Sequence, residues 1–575
     1  MGDGNKRGRQ LLTGAVVGLL TGVAGAVIAS LFAGTSALTL LGGSDQSAIA
    51  WGVHALVSTG IGVLFALLFL TGERGQYAEQ IMGGLTLGLL AWVTFTLNLW
   101  PVLAGRGAQW EAAQAGPTLP ALVGYLLQGV LLGALSHRLV PAIDIAPRLE
   151  PAPSLTQRRI MVLGGGFAGV TTAQTLEKLF GDAPDVEITL VSDTNHLLFT
   201  PMLSEVTAGG VEAQHITPPL RSFFHRARVI RGTPVDIDLN AQTITVESGA
   251  SVRRAYAFEQ LVLAMGAVPN FFGNKNLEEH SFTFKSLTDA IQIRNHIINV
   301  LERADTEPNP ALRKALLTFV VVGGGFAGTE LIGGLNDFIR GSLWYYPHIP
   351  HDEVSLVLIH PGERILPELS DSLGLYAQEK MEARGVSFRL KTRVTDAAPG
   401  QVMLGDETLA AETLIWTAGN VPHPFLSLVG VEKDKRGAVI TDAMLTAKPN
   451  GAGNANLWAV GDCAAVPDLL TGKNCPPTAQ HALREAKVVA HNIHAVMHGK
   501  PPKEFRFRSL GSFAVLGHLT AVAEIRGLRF SGMLAWLMWR GVYLVKLPTL
   551  EKRVRVLLDW IVDIFFPRDI GSFKL

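Results

Sequence analysis

A chain of 575 residues is too long for one hydrophobic core and has room for about three or four domains. Lys+Arg 49 against Asp+Glu 49 leaves no formal net charge, which argues against nucleic acid or another polyanion as partner. Charged residues are only 17% of the chain, below the usual quarter or so, and two cysteines make neither a disulfide framework nor a four-cysteine metal site.

The apolar excess sits at the start. Residues 1–10 are polar and carry Lys6, Arg7 and Arg9, and residues 11–43 then hold no charge. Three similar stretches come next, at about 48–70, 81–103 and 119–140. Each is long enough for a hydrocarbon layer of roughly 30 Å at about 1.5 Å per residue. The basic start resembles a signal peptide, but the first apolar run exceeds a signal core and three more come after it. The expectation is four transmembrane helices over residues 1–140; buried helices of a soluble domain are the alternative. Gly14, Gly18 and Gly22, then Gly84 and Gly88, then Gly129 and Gly133 recur at helical spacing and predict close helix packing. Trp92, Trp100 and Trp110 read either as interfacial anchors or as core.

His54 is the one group in mid-span that titrates near neutrality; it reads as a functional group or as a neutral, hydrogen-bonded histidine. Lys6, Arg7, Arg9, Arg74, Arg138 and Arg148 flank the spans on one side and Arg106 on the other. By the positive-inside rule both ends of the bundle are cytoplasmic, in the cell's inner membrane, and the C-terminal three quarters of the chain is cytoplasmic too. Pro141, Pro147, Pro151 and Pro153 make residues 141–157 a stiff linker.

Ile160 to Leu163 reads as a buried parallel strand, and Gly164, Gly166 and Gly169 form a G-x-G-x-x-G turn into a helix. Such glycines allow a tight turn, a close approach of pyrophosphate, and close packing of helix on strand. The helix N-terminus adds free N–H donors. The pattern recurs in FVVVGGGFAGTE with Gly323, Gly325 and Gly328, so two Rossmann-type units are expected in an α/β chain. The second strand of the first unit, VEITLV, ends at Ser192 where a ribose-binding acid is usual, with Asp193 next. The second unit has His360 at that place and Arg364 nearby, which leaves the choice of NADH or NADPH open. HLLFTPML around Pro201 reads as a loop; LAMGAVPN holds Gly266, and LIWTAGN, with Gly419, mirrors it.

These stretches, with LWAVGDCA and PPTAQHA after them, resemble in their order the two-dinucleotide-binding flavoprotein reductases. They are most similar to the type II NADH dehydrogenases, the non-pumping NADH:quinone oxidoreductases. The resemblance covers about 157–575. It implies FAD on Gly164, Gly166 and Gly169, with Asp193, Pro201, Gly266, Gly461, Asp462 and Ala479 around it. NAD(P)H falls to Gly323, Gly325, Gly328, His360 and Gly419. Glu330 matches an acid near nicotinamide and flavin, and Gln480 lies in the segment where a membrane quinone binds. The implied reaction passes hydride from NAD(P)H to the flavin, and then two electrons to quinone. Glu330 reads as orienting or relaying a proton, or only as bracing its helix; Gln480 reads as a quinone contact or a flavin-side hydrogen bond.

The organisation implied is 1–140 membrane helices, 141–157 linker, 158–315 and 429–500 FAD domain, 316–428 NAD(P)H domain, and 501–575 a C-terminal region. The chain departs from the family at Arg484, where a second glutamine is usual, and in having the N-terminal spans at all. In 550–566, Lys552, Arg555, Asp559 and Asp563 are expected on one face, opposite Val554, Leu558, Trp560 and Ile561. That helix and 532–546 read as a lipid-surface element or as a core or homodimer-interface element. A flavin disulfide reductase is excluded, since no cysteine pair lies between 159 and 462. Sulfide oxidation is disfavoured by the spacing of Cys463 and Cys475, and a membrane-tethered redox sensor would not need the nicotinamide turn. No metal site is expected.

Overall fold

The computed structural model describes residues 3–33, 47–70, 77–103, 105, 116–139, 158–249, 251–450 and 456–572. It divides into two compact units, Met1–Ala152 and Pro153–Leu575. The proline-rich 141–157 stretch, Arg74, Arg106 and Trp110 lie outside the described residues.

The first unit is helical. Helix α1 (Asp3–Ala33) packs on α2 (Ser47–Phe65), and α3 (Tyr77–Ala91) packs on α4 (Leu119–Leu139), with α1 also against α4. Among the described residues four stretches are long and apolar enough to cross a membrane: Leu11–Leu31, Ala48–Phe69, Gln80–Leu103 and Leu119–Ser136. The glycine rows do what their spacing predicts. A Cβ on Gly18 would stand 2.6 Å from the Gly62 Cα, and one on Gly84 would stand 2.0 Å from the Gly129 carbonyl oxygen, so backbone meets backbone. His54 is buried, with Nε2 3.0 Å from the Gly22 carbonyl and its ring edge-on to Tyr125. Trp92 Nε1 donates to the Thr118 carbonyl and hydroxyl, a packing contact within the unit.

In the second unit, β1 (Arg158–Leu163) leads through the first glycine turn to α5 (Phe167–Phe180), and then to β2 (Val186–Ser192). A one-turn helix α6 (Leu203–Thr207) comes next, then β3 (Arg228–Arg231) and β4 (Gln260–Leu263). The chain next builds β5 (Thr318–Val322), α7 (Phe326–Ser342), β6 (Ser355–Ile359), β7 (Val386–Arg389) and β8 (Thr413–Trp416). It returns with β9 (Leu457–Ala459) and α8 (Ala479–Met497).

The first five-stranded parallel sheet runs β9–β4–β1–β2–β3. The second runs β7–β6–β5–β8, with Phe282–Thr283 at its edge. Strand β9 comes after the whole second sheet in sequence, yet pairs with β4, so the second sheet is an insertion in the first. Two short strands, Ala267–Pro269 and Asn420–Pro422, pair antiparallel as the double neck between them. Both sheets are covered on both faces, which explains their unbroken apolar strands: β5 is buried at every residue.

The C-terminal region adds an antiparallel sheet, β10 (Gly511–Gly517), β11 (Thr520–Ile525) and β12 (Leu528–Ser531), then α9 (Gly532–Lys546) and α10 (Leu550–Phe565). Helix α7 lies along β10. Glu330 accepts from the Val515 N–H at 3.2 Å, and Asp337 accepts from the His518 N–H at 2.6 Å. Between them, a Cβ on Gly333 would stand 2.6 Å from the Leu516 carbonyl oxygen.

The expected split of α10 is only half right. Lys552, Val556, Asp559, Trp560 and Asp563 turn inward together. Lys552 Nζ donates to the Gln214 carbonyl, Asp559 meets His215 Nδ1 at 2.5 Å, and Asp563 meets Arg568 at 2.8 Å. The charges find partners inside, and the face left outward is Leu557, Leu558, Ile561, Val562, Ile564 and Phe565, the last 73% exposed.

Gly333→Ala is expected to lower thermal stability by about 1–3 kcal/mol, because its methyl must displace backbone. Gly341→Ala, whose Cβ meets nothing within 4 Å in the same helix, should be neutral or stabilising by up to about 1 kcal/mol. Thermal unfolding of the two variants checks the contrast.

Candidate active site between the two glycine turns

Both glycine turns have the shape that a bound pyrophosphate requires. Gly164 has φ +116° and Gly323 φ +117°, conformations that side chains rarely adopt. A Cβ on Gly169 would stand 1.8 Å from the Gly164 carbonyl oxygen, and one on Gly328 1.9 Å from that of Gly323, so each helix closes onto its own turn. Nothing lies within 4 Å of the Cβ position of Gly166, and only Glu368 Oε1, at 3.4 Å, approaches that of Gly325. Each turn is thus tight below and open above its middle glycine, a cradle that a side chain would fill. The helices α5 and α7 start at these glycines with no side-chain cap on their first N–H groups. A dinucleotide fits both places.

Around the first turn, Ser192 sits beneath the loop, where a Cβ on Gly165 would meet its Oγ at 2.3 Å, and Asp193 is exposed beside it. Pro201 lies in the one-turn helix Thr200–Met202. Gly266 (φ +66°) has open space at its Cβ position, and Gly461 (φ +72°) lies near Ala168 and Ala482. Asp462 faces Lys285 Nζ at 3.8 Å, and the Gly461 N–H donates to Glu485 Oε2 at 2.7 Å. Burial pushes the Glu485 carboxyl up to about 7. Ala479 and Gln480 open α8 behind the Thr478 cap. Gln480 Nε2 donates to the Gly511 carbonyl at 2.6 Å, while its Oε1 is buried without a partner among the described residues. The Arg484 guanidinium stacks on Phe507 at 4.2 Å and donates to the Gln480 carbonyl.

At the second turn, the Gly324 N–H donates to His360 Nδ1 at 3.1 Å, which holds that nitrogen unprotonated; burial lowers the ring's pKa. Arg364 is not a free cation. Its Nη1 and Nη2 donate to the carbonyls of Ile365, Leu366, Pro367 and Leu369, and it pairs with Asp371 at 3.0 Å. These contacts take up its Nη donors. Gly419 (φ +87°) lies by Phe272, whose ring would stand 3.1 Å from a Cβ there.

Glu330 is where the parts meet. It stands in the first turns of α7, accepts from the C-terminal strand, and lies beside the Trp539 indole and Glu205. Burial, reinforced by the Glu205 charge and opposed by the Val515 N–H, pushes its carboxyl up to about 8. Glu205, Arg540, Arg568 and Lys285 carry no motif and do not stand out in the sequence. Their available signals are a lone acid after the apolar HLLFTPML run and the one arginine of the apolar helix Gly532–Lys546. Burial also pushes the thiols of Cys463 and Cys475 up to about 12, so neither is poised as a redox nucleophile.

Two interleaved glycine-turn units, the second sheet inserted in the first, define a two-dinucleotide flavoprotein reductase. The family profile described as pyridine nucleotide-disulphide oxidoreductase matches residues 158–486, and that of the NDH2 C-terminal domain matches 510–569. A type II NADH:quinone oxidoreductase (Ndh) of Mycobacterium tuberculosis is 30% identical over 444 residues, which span 74% of this chain and 92% of that protein. A probable NADH dehydrogenase of Dictyostelium discoideum is 30% identical over 438 residues, 75% of this chain and 94% of that one. The solved NDH2 of Plasmodium falciparum in complex with NADH shares the fold with TM-score 0.67 at 19% identity, covering 72% of this chain and 100% of that chain. The chain belongs to the type II NADH dehydrogenases within the pyridine nucleotide-disulphide oxidoreductase family.

The carboxyl of Glu330 keeps its proton in the folded state between about pH 4.5 and pH 8, where the unfolded chain has released it. Its burial therefore costs stability that grows as pH rises through that window. Glu330→Gln is expected to raise the unfolding temperature more at about pH 8.5 than at about pH 5; equal changes at both would contradict the assignment.

Proposed function

We infer that the protein is a membrane-held, FAD-dependent NADH:quinone oxidoreductase that moves no protons across the bilayer. The observation that carries this is the meeting at Glu330 of the helix that opens from the second glycine turn and the C-terminal strand β10, whose first residue, Gly511, holds Gln480. Gly164, Gly166 and Gly169 would hold the FAD pyrophosphate on α5, with Asp193 at the adenosine ribose. Pro201, Gly266, Gly461, Asp462 and Ala479 would line the rest of its length, and Lys285 would balance Asp462. When bound, FAD supplies the two-electron chemistry between nicotinamide and quinone. Gly323, Gly325 and Gly328 would hold the nicotinamide dinucleotide, His360 would floor its turn, and Gly419 would flank it. Glu330 would orient the reacting rings and hold a proton near them. Gln480, anchored through Nε2, would present its free Oε1 to the acceptor.

The four apolar helices support a bundle that spans the inner membrane, and the excess of Lys and Arg at its two ends supports a second unit on the cytoplasmic side. The outward apolar face of α10, continued by Met533, Leu534 and Leu537 of α9, fits a second, surface attachment to lipid. A lipid-facing quinone would then meet the site through this C-terminal region.

Membranes or detergent-purified protein should show a flavin spectrum that bleaches with NADH and recovers on adding a quinone. Bleaching without recovery would sink the quinone assignment. Because Arg364 is bound to backbone carbonyls, Arg364→Ala should lower stability yet leave the NADH/NADPH preference unchanged within about twofold; a tenfold change would place it in coenzyme recognition.

A further inference from the structure

Glu330 is not alone. A pocket beside it is walled by Glu205 of α6, Asp337 of α7, Arg540 of α9, Arg568 and His518. Glu205 and Glu330 both open onto this pocket, and among the described residues neither makes an ion pair. Glu205 Oε2 accepts from the Trp560 indole N–H at 2.6 Å, which fixes the carboxyl's direction. Arg540 is sandwiched between Trp536 and Trp560, 3.9 and 4.6 Å from their ring centres, and its Nε is buried without a partner among the described residues. Arg568 is tied to Asp563 and the Ala208 carbonyl. Asp337 is clamped by Arg384 and by the N–H of His518, and His518 is exposed. The pocket thus runs from Glu330 to an exposed residue on the strand turn, past a second carboxyl and two guanidinium groups.

The proposed reaction needs such a route. NADH + H⁺ + quinone gives NAD⁺ + quinol: NADH supplies two electrons and one hydrogen, and the second quinol O–H takes its proton from water. One proton per turnover must therefore reach a half-buried site beside α9. We propose that Glu205 and Glu330 are a proton-relay pair, and that the pocket between them and His518 is the path by which this proton enters. Glu205 passes a proton to Glu330 through water held in the pocket, and is refilled from the His518 side. Arg540 and Arg568 act on Glu205 and keep the pair from holding two protons at once, while repulsion between the two carboxylates keeps it from holding two charges. Tyr543 faces Glu330 from α9. Burial raises both carboxyls, as a proton store requires. This reading rests on quinone as acceptor and adds Glu205 as a positioning residue that acts through Glu330.

The test compares Glu205→Gln and Glu205→Asp with wild-type holoprotein. Ferricyanide is a control acceptor, since NADH + 2 ferricyanide gives NAD⁺ + H⁺ + 2 ferrocyanide and takes up no proton. The ratio of quinone to ferricyanide turnover should fall about tenfold to a hundredfold in Glu205→Gln, more steeply above pH 8, at full flavin content, and recover in Glu205→Asp. An unchanged ratio, or no recovery with Asp, would overturn the relay. The infrared C=O band of protonated carboxyls, followed between about pH 6 and pH 9, provides a readout independent of turnover. Losing the Glu205 charge should move the Glu330 midpoint below its value of about 8; an unmoved midpoint would also overturn the coupling. A wild-type protein that reduces ferricyanide but no quinone would instead refute the acceptor assignment, and the infrared titration would still decide whether the two carboxyls are coupled.

Discussion

The rest of the catalytic unit depends on one seam, where helix α7 lies flat along strand β10. Glu330, Gly333 and Asp337 lie on one face of that helix, and residues Val515 to His518 supply the N–H, carbonyl and N–H that meet them in turn. A glycine in the middle lets the backbones touch, and a carboxyl at each end takes up a strand N–H. The helix that opens from the second glycine turn and the C-terminal region are thereby one body. Anything bound on that turn is held in register with α9 and α10.

That coupling explains why so much charge is kept in the interior. Isolated buried carboxyls are costly, and this region holds Glu205, Glu330 and Asp337 within one pocket wall. A structural role alone would be served better by apolar groups of the same volume. Arginine stacked between two tryptophans retains its charge where lysine would tend to lose it, so the pocket keeps a permanent positive wall beside groups that gain and lose protons. The exposed apolar side of α10 and the charged inward side are two consequences of one arrangement. The helix pairs its acids with His215 and Arg568, and leaves its leucines and phenylalanine to the outside.

The parts legible in the sequence were those written locally. Both glycine turns, the apolar strands after which they come, and the return of the first sheet at LWAVGDCA are patterns within about ten residues, and their order carried the family. The glycine rows of the first unit were legible for the same reason. The rest depends on partners far apart in the chain. Arg364 is the exception, with partners one to five residues away in a turn whose shape no local pattern states. Trp560 was assigned to the apolar face because periodicity cannot tell that Lys552, Asp559 and Asp563 have inward partners more than three hundred residues away in two cases. Glu205 and Arg540 meet only when α6 and the C-terminal helices are folded together.

A division of labour between the two glycine turns is central, and bound cofactor measures it most directly. Purified Gly169→Val protein should lack FAD, since its side chain would stand in the first turn's own backbone. Gly328→Val should retain FAD at about one per chain and fail to bind NADH in equilibrium titration. FAD lost from Gly328→Val but kept by Gly169→Val would contradict that division.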